Sequence, residues 1–425
     1  MTLYYNTAVV LAGIGLLGAL AGLVGSFAVL RKRSLTGDAL AHAALPGVCL
    51  AYLLTGQREL PVLLLGALLS GVLGILVINL LTNRTRIRED AAIGSVLGVF
   101  FGIGIALSKR IQQLPGSGSR AGLDSFLFGK AASMTLDDVI GISVVAIICL
   151  AIVVLLYKQF KLISFDADFG RTLGWPVRWL DLALMSLLAI TVVIGLPAVG
   201  VVLTAALVII PGASARFWTD RFGVLIALST FFGLVMGLLG TLLSAYNRDL
   251  PAGPTIVLCG AAIFLVSLIG GRHRGVLARY LRWRRFETEI SRRRLLEGVW
   301  DLSHGADSKL AQVRLDDLLQ AQSWHRGRLN DTITRAVIQG ELHASGQGFE
   351  FTPSGAAEAL EVIRTHLLWK ELLQEHPEQA SAIADLTAPL SEQVQPELIR
   401  KLEHSLRDRG AWPELRAPLL PEARP

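Results

Sequence analysis

The sequence predicts an all-α polytopic membrane protein of about eight or nine transmembrane helices, followed by a soluble, mostly α C-terminal domain. Three observations carry that reading. Of 425 residues, 52% are hydrophobic, and mean hydropathy is +0.53. The charge is unevenly placed: residues 1–271 are mostly apolar runs, several of them near or above the roughly 20 residues that cross a bilayer as helix, and the remainder has a soluble composition. Finally, Asp38 and His42 stand four residues apart at the start of an apolar span, which puts both on one helical face.

Nine spans are expected, at 7–30, 37–55, 60–82, 91–108, 137–157, 177–196, 199–215, 222–245 and 253–271. The first lacks a basic leader and a small-residue cleavage site, so it is expected to be retained as a span. The sixth and seventh are separated only by Gly195-Leu196-Pro197, which demands a very tight turn; a broken or re-entrant helix fits equally well. Cys49, Cys149 and Cys259 each fall alone within an apolar run, so no disulfide framework or zinc-type pair is indicated.

Orientation follows from the basic residues. With Arg31-Lys32-Arg33 in the cytoplasm, Arg84, Arg86, Arg88, Lys158, Lys161, Arg171, Arg178, Arg216 and Arg221 lie there too. About twelve basic residues are then inside against about six outside. Nine spans leave the amino terminus outside and the tail cytoplasmic. Asp38 and His42 then sit near the cytoplasmic end of the second span. Ionisable groups inside a bilayer are costly unless they bind something, and carboxylate with imidazole suits a borderline metal.

The chain divides into a membrane domain at 1–271, a basic juxtamembrane linker at 272–294 and a soluble domain at 295–425. The linker has nine arginines against Glu287 and Glu289, which suits anionic lipid headgroups. The soluble domain has thirteen Lys and Arg against twenty Asp and Glu. Apolar spacing predicts helices over 313–321 and 329–338; Phe349-Glu350-Phe351 is strand-like, and Ser354 is expected to cap a helix over 356–374. Helix, turn, helix, short ribbon and long helix is the order of a winged helix-turn-helix module. Arg326, Arg328 and Arg335 form only a small basic patch on an acidic domain, so DNA is not an expected partner.

No Walker A loop, Gly-x-Ser-x-Gly elbow or His-Glu-x-x-His occurs, so the chain is not expected to be an enzyme. Any ATP hydrolysis must reside on another polypeptide.

The stretch Gly37-Asp38-Ala39-Leu40-Ala41-His42-Ala43-Ala44-Leu45-Pro46-Gly47 resembles the signature of the membrane permeases of zinc, manganese and iron ABC importers. Further blocks match in order: Arg88 to Gly94, Leu127-Phe128-Gly129, Phe165 to Gly174, Leu207 to Arg216, and Leu250 to Val257. The resemblance implies that Asp38 and His42 line a path for transported manganese, zinc or iron, with no permanently bound cofactor. It implies that Pro211, Gly212 and Ala213 dock on an ATP-binding cassette subunit. An extracytoplasmic metal-binding protein and a second permease subunit, identical or not, are the further partners it implies, in a bacterial cytoplasmic membrane. Manganese is favoured, because residues 311–376 resemble iron- and manganese-dependent winged-helix repressors. In that family the histidine at the His366 position binds metal; here Lys370 replaces a nearby acid, and Pro389 to Val394 keeps Glu392 but lacks the family's other ligands. The alternative is a membrane-tethered, metal-responsive winged-helix regulator.

Overall fold

A computed structural model describes residues 2–56, 59–113, 129–247, 250–304, 312–346, 348–378 and 393–413. The chain forms two compact units, Met1–Tyr280 and Leu281–Pro425.

The first unit is all helix. Its elements are α1 (Thr2–Leu30), α2 (Ser34–Thr55), α3 (Leu60–Arg84), α4 (Glu89–Gln112), α5 (Leu136–Leu155), α6 (Tyr157–Phe165), α7 (Ala167–Thr172), α8 (Val177–Val199), α9 (Val201–Ala215), α10 (Phe222–Tyr246) and α11 (Ala252–Gly270). Among the described residues, eight of these are long and apolar enough to cross a membrane. The ninth expected span is α9, whose 15 residues rise only about 22 Å, short of the roughly 30 Å hydrocarbon core.

The break between α8 and α9 lies at Gly200, three residues beyond the expected turn. Its φ of +89° with ψ of 161° is a conformation open essentially to glycine alone. Pro197 is accommodated inside α8, one turn before the break. α9 runs beside the second half of α1: Gly195, just before the break, meets Leu17. The Gly200 end lies beside Gly129, and Gly212 packs against Ser26 and Val29 near the end of α1. It therefore runs parallel to α1, and the membrane-length helices among the described residues remain eight. The exit of α11 lies beside the end of α9: the amides of His273 and Arg274 both donate to the Phe217 carbonyl.

The core is built on α1, which packs along α10 and α9. The approach is close because α1 presents glycines. A Cβ on Gly22 would collide with the Ser229 carbonyl and one on Gly18 with that of Gly233, and the Ser229 hydroxyl donates to the Gly22 carbonyl at 2.6 Å. The same device brings α2 onto α3 at Gly47 and Gly66. Ser70 of α3 then donates to the Ala43 carbonyl at 2.6 Å, just ahead of Pro46 inside α2.

The second unit contains most of α12 (Val276–His304), then α13 (Leu315–Ala321), α14 (Arg326–Ile338), strands β1 (Leu342–Ser345) and β2 (Gly348–Phe351), α15 (Pro353–Glu375) and α16 (Pro396–Asp408). The strands pair antiparallel, Leu342 opposite Phe351 and Ser345 opposite Gly348. Leu295 and Val299 of α12 join Leu318, Leu329, Ile333 and Leu342 in one core. Leu368 and Leu372 of α15 meet Leu402 and Leu406 of α16 in another. Three local expectations change. Val313 pairs with Phe349 in an isolated bridge instead of opening a helix. The linker arginines continue into a single helix. The cap of α15 is Thr352, whose hydroxyl accepts from the Gly355 amide at 3.0 Å, while Ser354 donates to the Gly340 carbonyl.

Candidate functional site

The turn between α1 and α2 positions the Asp38 and His42 pair. Lys32 takes the left-handed conformation at φ +59°, uncommon for a residue with a Cβ, which reverses the chain within Arg31-Lys32-Arg33. The flanking arginines hold the turn in place: both pair with Asp181 of α8, Arg33 at 3.1 Å, and Arg33 also meets Glu89 at 2.6 Å. Glu89 is the first residue of α4, where a carboxylate also favours the positive end of the helix dipole.

From that anchored turn α2 begins at Ser34, so Asp38 lies inside the helix and does not cap it. Asp38 and His42 stand about 6 and 12 Å along a helix of about 33 Å. His42 Nε2 is 3.5 Å from Asp38 Oδ1, and both side chains are largely covered, at 14% and 33% exposed. The ring of Phe101 from α4 meets the imidazole edge to face at 4.7 Å. Ala39, Ala41 and Ala43 are fully buried.

His42 Nδ1 is buried without a hydrogen-bond partner. A buried unmatched polar group costs about 1–3 kcal/mol, and a ligand or water can satisfy it. Neutral imidazole and carboxylate are ligands for manganese, iron or zinc. Among the described residues no group of three or more His, Cys, Asp and Glu side chains gathers to hold a metal. The pair therefore offers two ligands, with remaining coordination left to water, backbone carbonyls or another chain.

Pro211 and Gly212 are buried inside α9 against α1, and Ala213 is half-buried. The exposed part of this segment lies further on, at Asp220 and Arg221. Asp220 pairs with Arg274 at 2.7 Å and lies 3.7 Å from His273. In the tail, His366 Nδ1 meets Glu297 Oε1 at 2.9 Å, in a cleft of about 530 Å³ that Arg293, Trp369 and Lys370 also line. Arg293 and Lys370 beside the pair oppose a bound metal cation. Of the other expected ligand positions, Glu392 lies outside the described residues, as do Leu127 and Phe128 of the short membrane block. The small basic patch is engaged: Arg326 lies 3.6 Å from Asp316, Arg328 2.7 Å from Glu287, and Arg335 donates to the Thr288 hydroxyl.

Sequence reasoning missed Asp181 and Phe101. Asp181 lies 150 positions from its partner Arg31, and Phe101 sits in a uniformly apolar run.

Comparison with known proteins places these features. A family model described as the ABC 3 transport family matches residues 3–271. The manganese transport system membrane protein MntC of Bacillus subtilis is 47% identical over 296 residues, covering 70% of this chain and 68% of that protein. The zinc transport system membrane protein TroC of Treponema pallidum is 43% identical over 281 residues, covering 66% and 93%. Among solved structures, PsaBC from Streptococcus pneumoniae in complex with Fab has a matching chain at 32% identity and a TM-score of 0.56. The match covers 65% of this chain and 94% of that one.

Proposed function

The chain belongs to the ABC 3 transport family, and from that premise we propose that it imports a divalent transition metal, manganese before zinc or iron, along a path lined by Asp38 and His42. It is a multi-pass membrane permease subunit and not an ATPase. The observation that carries the pathway is the Asp38 and His42 pair inside α2 with a buried imidazole nitrogen lacking a partner. The two ligands match the ions named for the relatives, and the manganese system of Bacillus subtilis, at 47% identity, supports the order of preference.

In this reading an ATP-binding cassette subunit meets the cytoplasmic turn that Pro211, Gly212 and Ala213 lead into. A second permease subunit completes the path, and an extracytoplasmic binding protein delivers the ion across a bacterial cytoplasmic membrane. The tail is a winged-helix-like module used for packing or regulation. Its net acidity and the engagement of Arg326 and Arg328 by carboxylates speak against DNA.

Uptake in a permease-deficient strain tests the proposal, with manganese, zinc and iron in competition. Asp38→Ala and His42→Ala should each abolish uptake while the ATPase still copurifies. Wild-type uptake in both variants would overturn the pathway.

A further inference from the structure

The arginine-rich start of the tail remains outside that account. We propose that the first half of α12, Val276 to Ile290, is an interfacial helix that seats on anionic phospholipid of the leaflet from which α11 emerges. Val276, Tyr280, Trp283, Phe286 and Ile290 recur at helical spacing on one side of α12. Each is about half exposed, Trp283 the most at 57%. Trp283, Phe286 and Ile290 share an open cleft with Trp324, which Glu287 and Arg328 also line. Arg294 lies over the Trp324 ring at 5.0 Å.

An exposed row of apolar and aromatic side chains, interrupted on the same side by Arg279 and Glu287, is unfavourable against water and marks an interaction surface. The charge beside it identifies the partner. From Arg272 to Ile290 there are six arginines against Glu287 and Glu289, and these two acids pair with Arg328 and Arg293. Arg279, Arg282, Arg284 and Arg285 are exposed, with Arg282 and Arg285 turned away from the stripe by the helical period. The second half of the same helix differs in burial. Leu295, Leu296 and Val299 are buried, and Arg292 and Arg293 pair with carboxylates. The change near Ser291 separates a half that fits the tail's own core from one that fits a surface both apolar and negative.

Position makes that surface a lipid leaflet. Only Gly271 to Gly275 separate α11 from α12, so the stripe is tethered within a few residues of the bilayer at high effective concentration. Tryptophan and tyrosine with arginine is the composition of a helix at headgroup depth, and basic residues near an anionic leaflet attract it electrostatically.

The full-length protein in nanodiscs tests this, with phosphatidylcholine alone compared with a phosphatidylcholine–phosphatidylglycerol mixture. Hydrogen exchange over 276–290 should slow in the anionic discs, and brominated lipid should quench the emission that Trp283→Phe removes. Each of Arg279→Gln, Arg282→Gln and Arg285→Gln should reduce the protection about fivefold, the equivalent of about 1 kcal/mol per basic residue. Raising ionic strength should release the wild-type helix, which keeps the test decisive if a variant folds poorly. Equal exchange in both discs and at all salt concentrations overturns the proposal. So does protection that appears only with added ATPase subunit, only on self-association in neutral lipid, or equally with inorganic phosphate.

Discussion

Arg33, at the end of the three-residue turn between α1 and α2, holds Glu89, the first residue of α4, at 2.6 Å. The same guanidinium reaches Asp181 of α8, so one side chain ties together three helix ends beside the start of the Asp38 and His42 helix. The groups are largely covered, between 18% and 34% exposed. Removing one partner then leaves a poorly hydrated charge. Asp181→Asn should destabilise the membrane unit by about 1–3 kcal/mol, because it takes the carboxylate from Arg31 and leaves Arg33 with Glu89 alone. Glu89→Gln, which leaves Asp181 in place, should cost less. Thermal unfolding in detergent checks the order, and equal melting temperatures for both variants and wild type would remove the cluster from the stability of this unit.

Packing of α1 on α10 makes a second prediction. Gly22→Ala has no room, since its new carbon would meet backbone rather than a movable side chain. The helices must separate, at about 1–3 kcal/mol. Ser229→Ala removes only one hydroxyl hydrogen bond and should cost about 0.5–1.5 kcal/mol. Gly94→Ala, where an added carbon meets nothing, should be near neutral. Melting of the three variants side by side tests the ranking.

How far these relations were legible depends on their range. Apolar runs and the Asp38 and His42 spacing are local, so the helices and the candidate pair could be read from sequence. The kink between α8 and α9 was misplaced by three residues, because a proline looks like a breaker, yet inside a packed helix bundle Pro197 is tolerated and Gly200 alone can adopt the reversing conformation. Arg31 with Asp181 and His366 with Glu297 join positions 150 and 69 residues apart, and no periodicity announces such pairs.

Phe101 makes a third prediction, about transport. Its ring fixes the His42 imidazole from α4 without offering a ligand, so it acts as a positioning residue. Phe101→Ala should weaken metal uptake about 2- to 10-fold, from the roughly 0.5–1.5 kcal/mol of an aromatic contact, without abolishing it. Phe101→Tyr, which keeps the ring, should recover most of the loss. Uptake titrated against metal concentration separates this from His42→Ala, and complete loss in Phe101→Ala would mean that the ring does more than hold the imidazole.

In the tail, Arg292 binds the buried Glu341 and also reaches Glu358 at 3.0 Å. Burial pulls the Arg292 guanidinium down, but the hydrogen bonds it donates to Glu341 and Glu358 outweigh it and hold the group above its ordinary value. A cation whose folded value is raised contributes stability at every pH below its unfolded value and loses it only as pH climbs through the folded one. For an arginine both lie beyond the working alkaline range. Tail stability should therefore show no loss from this group between neutral pH and about pH 10. Arg292→Lys should introduce one only above about pH 10: lysine titrates near 10.4 and lacks the planar fork that spans both carboxylates. Glu341 Oε2 already lacks a partner, so any lysine geometry that misses the second oxygen leaves the carboxylate worse compensated. Denaturant unfolding of the full chain at neutral and alkaline pH, followed by probes in the tail, should show a variant deficit of about 1–2 kcal/mol that widens above about pH 10. A constant deficit would assign the effect to packing alone.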